Sequence, residues 1–178
     1  MIVAYILIAA LVVIAGFVIV VAVQPPNYSV SRSATMNAPS ADVFAQVNDF
    51  HKWDDWSPWA KLDPTMKQTY EGAPAGTGAV YYWNGNRNVG EGRMTITESK
   101  PNDLVRVKLE FMRPFAGNSD VEFTFKPEGQ QTLVTWSMAG KLTFITKAFH
   151  LFMSMDKMIG GMYEQGLTKM KKIVETKH

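Results

Sequence analysis

Residues 148–174, AFHLFMSMDKMIGGMYEQGLTKMKKIV, decide how this chain folds. Ala148, Phe149, Phe152, Met155, Ile159, Met162, Tyr163, Leu167, Met170, Ile173 and Val174 step by three and four, the period of a helix with one apolar face. Gly160-Gly161 interrupts the pattern and marks a place for a kink. The stretch therefore reads as one long terminal helix with a face that must be buried. Met153, Met155, Met158, Met162 and Met170 give that helix an adaptable surface, suited to an irregular neighbour.

Upstream the period drops to two. Val30, Ala34 and Met36 alternate with serines and Thr35 in a first strand, and Pro39-Ser40-Ala41-Asp42 then starts a short helix. Six further strands follow from Met66. Their apolar parities carry Ala79, Tyr81 and Trp83; Met94 and Ile96; Val105, Val107, Leu109 and Phe111; Val121, Phe123 and Phe125; and Val134, Trp136 and Met138. Asn84-Gly85-Asn86, Pro101-Asn102-Asp103 and Pro127-Glu128-Gly129-Gln130 are turn chemistry, so the strands form an antiparallel meander with one apolar face. A one-faced sheet must be covered, and the only large partner in the sequence is the terminal helix. The expected class is α+β: a curved antiparallel sheet wrapped around a long C-terminal helix, with a volume left between them.

Closing that volume falls to FHKWDDWSPWA, residues 50–60. Trp53, Trp56 and Trp59 recur every three residues, near one face of a tight helical turn, and read as an aromatic plug. Asp54 and Asp55 then face water or cap the following turn. A metal reading of His51, Asp54 and Asp55 lacks a ligand set, since the chain has three histidines and no cysteine.

Residues 1–23 contain no charged side chain, and roughly 20 apolar residues suffice to cross a bilayer. A signal peptide would carry a basic leader and a shorter apolar core, and neither is seen. The expectation is an uncleaved single-pass anchor over 1–23, a linker over 24–27 stiffened by Pro25-Pro26, and one domain over 28–178. Arg32, downstream of the run, is the only basic residue near it, so the positive-inside rule leans towards a cytoplasmic domain. The net charge of +2 is mild, and Lys169, Lys171, Lys172 and Lys177 suit a solvated helix end. No basic stripe interleaved with aromatics suggests nucleic acid as a partner.

The segments APSADVFAQVNDFHKWDDWSPW, GTGAVYYWNGNRNVGEGRMTITESKPND and LVTWSMAG, with the ending YEQGLTKMKKIVE, resemble the helix-grip superfamily of START domains, birch-pollen-allergen-like proteins and polyketide cyclases, the SRPBCC group. The resemblance runs from Asn27 to Glu175. It implies a helix-grip fold and a small hydrophobic ligand held between sheet and helix, with no cofactor and no metal. The expected lining is Tyr81, Trp83, Met94, Phe111, Phe123 and Trp136 from the strands, Trp56 from the plug, and Phe152, Met155, Ile159 and Met162 from the helix. Members of the group also catalyse cyclisation and dehydration, for which Tyr81, Arg93 or Asp156 are the residues at hand. A protein-interaction module with a filled interior is a third reading. Glu91 and Arg93 lie on the polar parity, where a solvent-facing ion pair is expected unless a bulge near Gly90-Gly92 turns them inward. Asp156 and Glu164 have no evident partner in the sequence. A nucleophile–base pair, a phosphate-binding loop and the HExxH and GxSxG patterns are all absent from it.

Overall fold

The computed structural model describes residues 2–152 and 154–176 and, of Met155, the backbone only. Helix α1 (Ile2–Val23) leads into β1 (Asn27–Met36), then α2 (Ser40–Val47), a 3-10 turn (Phe50–Lys52) and α3 (Trp53–Trp56). Strands β2 (Lys67–Gly72), β3 (Ala79–Asn84), β4 (Glu91–Lys100), β5 (Leu104–Arg113), β6 (Gly117–Glu128) and β7 (Gln131–Lys141) follow, and α4 (Phe144–His150) and α5 (Met155–Glu175) end the chain. The strands make one antiparallel sheet ordered β1-β7-β6-β5-β4-β3-β2. Its concave face grips α5, which presses Tyr163, Leu167, Met170 and Val174 into the core. This is the α+β architecture that the alternation of periods predicts, and the helix-grip fold that the resemblance implies.

The registers give the sheet two distinct ends. Asn27 pairs with Lys141, Ser119 with Gly140, Phe111 with Gly117, and Asn84 with Glu91. The start of β1, the end of β7, and the β3–β4 and β5–β6 turns therefore share one end. The β4–β5 and β6–β7 turns share the other, where Lys100 pairs with Leu104 and Glu128 with Gln131.

Two glycines are dictated by close approach. Trp83 pairs with Gly92 across β3 and β4, and a Cβ on Gly92 would stand 2.4 Å from the indole. The missing side chain lets the ring lie flat across the neighbouring strand, where its N–H donates to the Val89 carbonyl at 3.0 Å. On α5, a Cβ on Gly160 would stand 2.0 Å from the Arg32 guanidinium. Arg32 passes over this gap from β1, donating to Asp156 at 2.8 Å and Glu164 at 2.7 Å, one helical turn to either side. The two acids that lacked a partner in the sequence thus form a clamp that fixes α5 on β1.

Three expectations are corrected. The terminal apolar pattern is not one helix but two, separated between His150 and Met155, and Gly160-Gly161 lies inside an unbroken α5. The apolar spacing runs through the break because both helices carry an apolar face, although only α5 buries its face in the core. The start signals are the N-caps: Thr143 accepts from the Thr146 N–H at 3.3 Å, and Ser154 from the Lys157 N–H at 3.5 Å. Second, Glu91 and Arg93 do not pair with each other. A register shift does fall between Glu91 and Gly92, yet both side chains stay on the convex face, Glu91 with Tyr82 and Arg113, and Arg93 with Glu110 at 2.7 Å. Third, Asp156 and Glu164 are both partnered, as above. Met153, Lys177 and His178 lie outside the described residues.

Valine favours strands, so Gly92→Val should stabilise the protein if only propensity mattered. The ring of Trp83 fills that space, and we expect instead a loss of about 1–3 kcal/mol in urea denaturation; an unchanged or raised midpoint would contradict the fit. The Arg32 guanidinium holds the Asp156 carboxyl below its ordinary value of 3.8. This contribution is complete above that value and lost as pH falls through the lowered one. Arg32→Met should therefore show a shallower loss of stability than wild type below pH 3.8, measured as urea midpoint against pH.

Candidate functional site

The plug is built on the end of α2. The Trp53 indole donates to the Val47 carbonyl at 2.9 Å and the Trp56 indole to the Gln46 carbonyl at 3.1 Å. These are last-turn carbonyls that a short helix leaves without partners, which explains why tryptophan, rather than leucine, sits at these positions. Asp49 accepts from the His51 backbone N–H at 3.0 Å and lies 2.9 Å from His51 Nδ1, and the His51 ring stacks on Tyr70 at 4.0 Å. Asp54 and Asp55 are exposed, and Asp54 accepts from the Gln68 amide at 3.1 Å. His51, Asp49 and Asp54 thus tie the plug to itself and to β2. Among the described residues no group of three or more metal-ligating side chains is assembled.

Behind the plug is a cavity of about 320 Å³ between the concave sheet, α3 and the first half of α5. Tyr81, Trp83, Met94, Phe111 and Trp136 line it from the sheet, and Ile159 from α5. Trp56 and Phe123 do not. Both are fully buried one layer back, Trp56 standing edge-on to Trp136 at 5.4 Å and Phe123 stacking on it at 4.9 Å. Met162 is half-buried on α5 outside the lining. Phe152 lies in the break between α4 and α5, 80% exposed, because the helix that would have carried it inward ends at His150. The Met155 side chain is outside the described residues.

Several further residues line the cavity. Leu109, Val121 and Met138 share the inward parity and form the floor, while Tyr28, Trp53, Trp59 and Tyr163 also line the space. Parity alone could not select them, because it marks what points inward and not how far along the strand a side chain sits. That distance decides the matter. At the end of the sheet carrying the β4–β5 and β6–β7 turns, Ile96, Val105, Phe125 and Val134 are packed solid with Val43, Val47 and Val174. The hollow occupies only the opposite end, near the start of β1 and the end of β7. Phe111 and Met158 line it while remaining 37% and 53% exposed, and so stand at its mouth with Asp54 and Asn88.

Polar groups in the cavity are sparse and, apart from Asp54 at the mouth, neutral. Tyr163 lies flat on Trp136, ring centroids 3.7 Å apart, so a pile of Phe123, Trp136 and Tyr163 runs from sheet to helix. Tyr28 shares a 2.7 Å hydrogen bond with Ser119 across the sheet. Burial pushes the phenols of Tyr28, Tyr81 and Tyr163 above their ordinary value of 10, so all three stay protonated at neutral pH. Of the charged residues, only Asp54 reaches the lining, at the mouth. Arg93 and Asp156, two of the three residues weighed for catalysis, are instead spent in ion pairs with Glu110 and Arg32, outside the lining. The arrangement can hold a largely apolar molecule and offer it phenol hydroxyls to bond to.

Residues 28–175 match the family described as polyketide cyclase / dehydrase and lipid transport. Solved structures share the fold at low identity. A protein from Nitrosospira multiformis is 19% identical, with a TM-score of 0.61, over 85% of this chain and 100% of that one. A protein of unknown function from Staphylococcus aureus is 11% identical, with a TM-score of 0.64, over 87% and 98%. The di-domain ARO/CYC StfQ of the steffimycin biosynthetic pathway is 10% identical, with a TM-score of 0.62, over 85% of this chain and 52% of that one. No curated protein matches the chain. By the match over nearly all of the sequence that follows α1, the chain belongs to the polyketide cyclase / dehydrase and lipid transport family.

Proposed function

We propose that this protein binds a small hydrophobic or lipid-like molecule in the cavity between sheet and α5, held at a membrane by α1. The carrying observation is the half-empty interior. One end of the sheet is packed solid, and the other keeps about 320 Å³ lined mainly by aromatic and aliphatic side chains. That volume sits at the lower end of small-molecule sites, roughly 300–1,000 Å³, and suits one compact apolar molecule or part of a lipid. The three protonated phenols would orient a carbonyl or hydroxyl on an otherwise greasy ligand. Helix α1 is long and apolar enough to cross a membrane, and a tether there would hold the site where such molecules partition.

One observation favours a second reading, a cyclase- or dehydratase-type enzyme in the same cavity. Tyr81 has its phenol in the lining beside a stacked Trp83, and the family description includes such enzymes. The hollow counts against the third reading, an interaction module with a filled interior.

The test is native mass spectrometry of the full chain released from membrane discs, followed by titration with fatty acids, sterols and polycyclic aromatics by tryptophan fluorescence. We expect a bound apolar adduct, and saturable binding that Met94→Trp weakens at least about tenfold by filling the space. Absence of any adduct and of any binding, or equal binding by the variant, would overturn the proposal. Chemical conversion of a bound molecule, lost in Tyr81→Phe, would favour the enzyme.

A further inference from the structure

Helix α4 is amphipathic, yet its apolar residues are not spent on the core. Phe144, Ile145, Phe149 and the following Phe152 are between 49% and 80% exposed. On the β5–β6 hairpin, Met112 near the end of β5 and Phe115 in the turn are 44% and 49% exposed, and the Phe115 ring meets Phe149 at 5.8 Å, joining hairpin and helix into one patch. A continuous apolar surface of this kind is unusual on a protein that meets only water.

What covers it follows from where α4 sits. It packs against the end of α1: Phe144, Ile145, Phe149 and Phe152 form a shallow groove with Phe17, and the Lys147 ammonium reaches the Ala22 carbonyl at 3.5 Å. Phe17 lies six positions before Val23, about 9 Å along the helix axis. The 22 residues of α1 extend about 33 Å against a hydrocarbon thickness of roughly 30 Å, so little of the helix is left over outside it. A segment touching Phe17 therefore lies below the headgroups. Lys147 is placed as a snorkelling cation would be, its stem along the apolar groove and its charge at the polar end of α1.

We propose that α4 and the β5–β6 turn form a second membrane contact, embedded in the bilayer leaflet beside α1, which sets the mouth of the cavity against the lipid. This rests on the reading of α1 as an anchor. The sheet registers carry the geometry: the β5–β6 turn, the end of β7 leading to α4, and the start of β1 leading from α1 all lie at the open end of the sheet. Phe111 and Met158, at the mouth, adjoin the patch on the same hairpin and at the start of α5. The occupant of the patch is thus acyl chain, and a ligand passes between leaflet and cavity without crossing bulk water.

The chain has no cysteine, so single-cysteine variants can be labelled cleanly. The full chain, reconstituted in phosphatidylcholine/phosphatidylglycerol vesicles, is labelled with an environment-sensitive fluorophore at Phe149→Cys, Phe115→Cys and Met158→Cys. Ile145→Cys and Met112→Cys stand in for either patch variant that fails to fold. Val12→Cys reports on α1, and Glu128→Cys on the far end of the sheet. We expect quenching by lipid-borne spin label at 12, 149, 115 and 158, several-fold greater than at 128, and quenching by aqueous iodide only at 128. Lipid quenching at 12 with iodide quenching at 149 and 115 would overturn the second contact and leave the anchor standing. Shielding of 149 and 115 from both quenchers would overturn it in favour of a protein partner. No lipid quenching at 12 would remove the anchor and this inference together, while the ligand titration above would still report on the cavity.

Discussion

A seven-stranded sheet with one apolar face is unstable in water until something lies on that face, and here α5 is the element that does so. Its hold on the sheet is established at two places with different physics. Deep in the fold Leu167, Met170 and Val174 are excluded from water, a non-directional attraction that would tolerate sliding along the axis. Nearer its start the Arg32 clamp is directional: one guanidinium on β1 reaches two carboxylates a turn to either side of Gly160, and any shift of the helix would break both bonds. Burial keeps the helix on the sheet, and the clamp sets where along the sheet it rests.

That setting matters because the space under α5 is not uniform. The Trp136–Tyr163 stack is the boundary, with packed side chains on one side and the hollow on the other. The plug holds this boundary from a third direction, since Trp53, Trp56 and Trp59 all meet Trp136 edge-on while the first two bond to carbonyls of α2. Aromatic rings suit this role. They are rigid, large, and stable at right angles to one another, so they can wall a void without collapsing into it.

Alternation by two and by three to four carried the fold in the sequence, because period and burial are coupled by backbone geometry alone. Much of the cavity lining was legible by the same rule: Tyr81, Trp83, Met94, Phe111, Trp136 and Ile159 all face the hollow at the open end. The rest needed the third dimension. Trp56 and Phe123 point inward too, but a layer of rings stands between them and the void. Phe152 continues a helical spacing across a break that only the Ser154 cap marks, and a lone serine among methionines is a faint signal. Arg32 shares a strand parity with apolar residues, and its partners lie over a hundred positions away on α5. The plug was readable as a plug, although not the reason for its tryptophans, which is the orphaned carbonyls of α2.

The division of the interior into a solid half and an empty half has a consequence for how such a protein can change over generations. Val105 and Phe125 serve only the solid half, whereas Leu109 and Val121, on the same strands, belong to the apolar core and also line the void. Exchanging one of these lining side chains reshapes the void and draws on the core at once, so selectivity for guest molecules and stability of the scaffold change together.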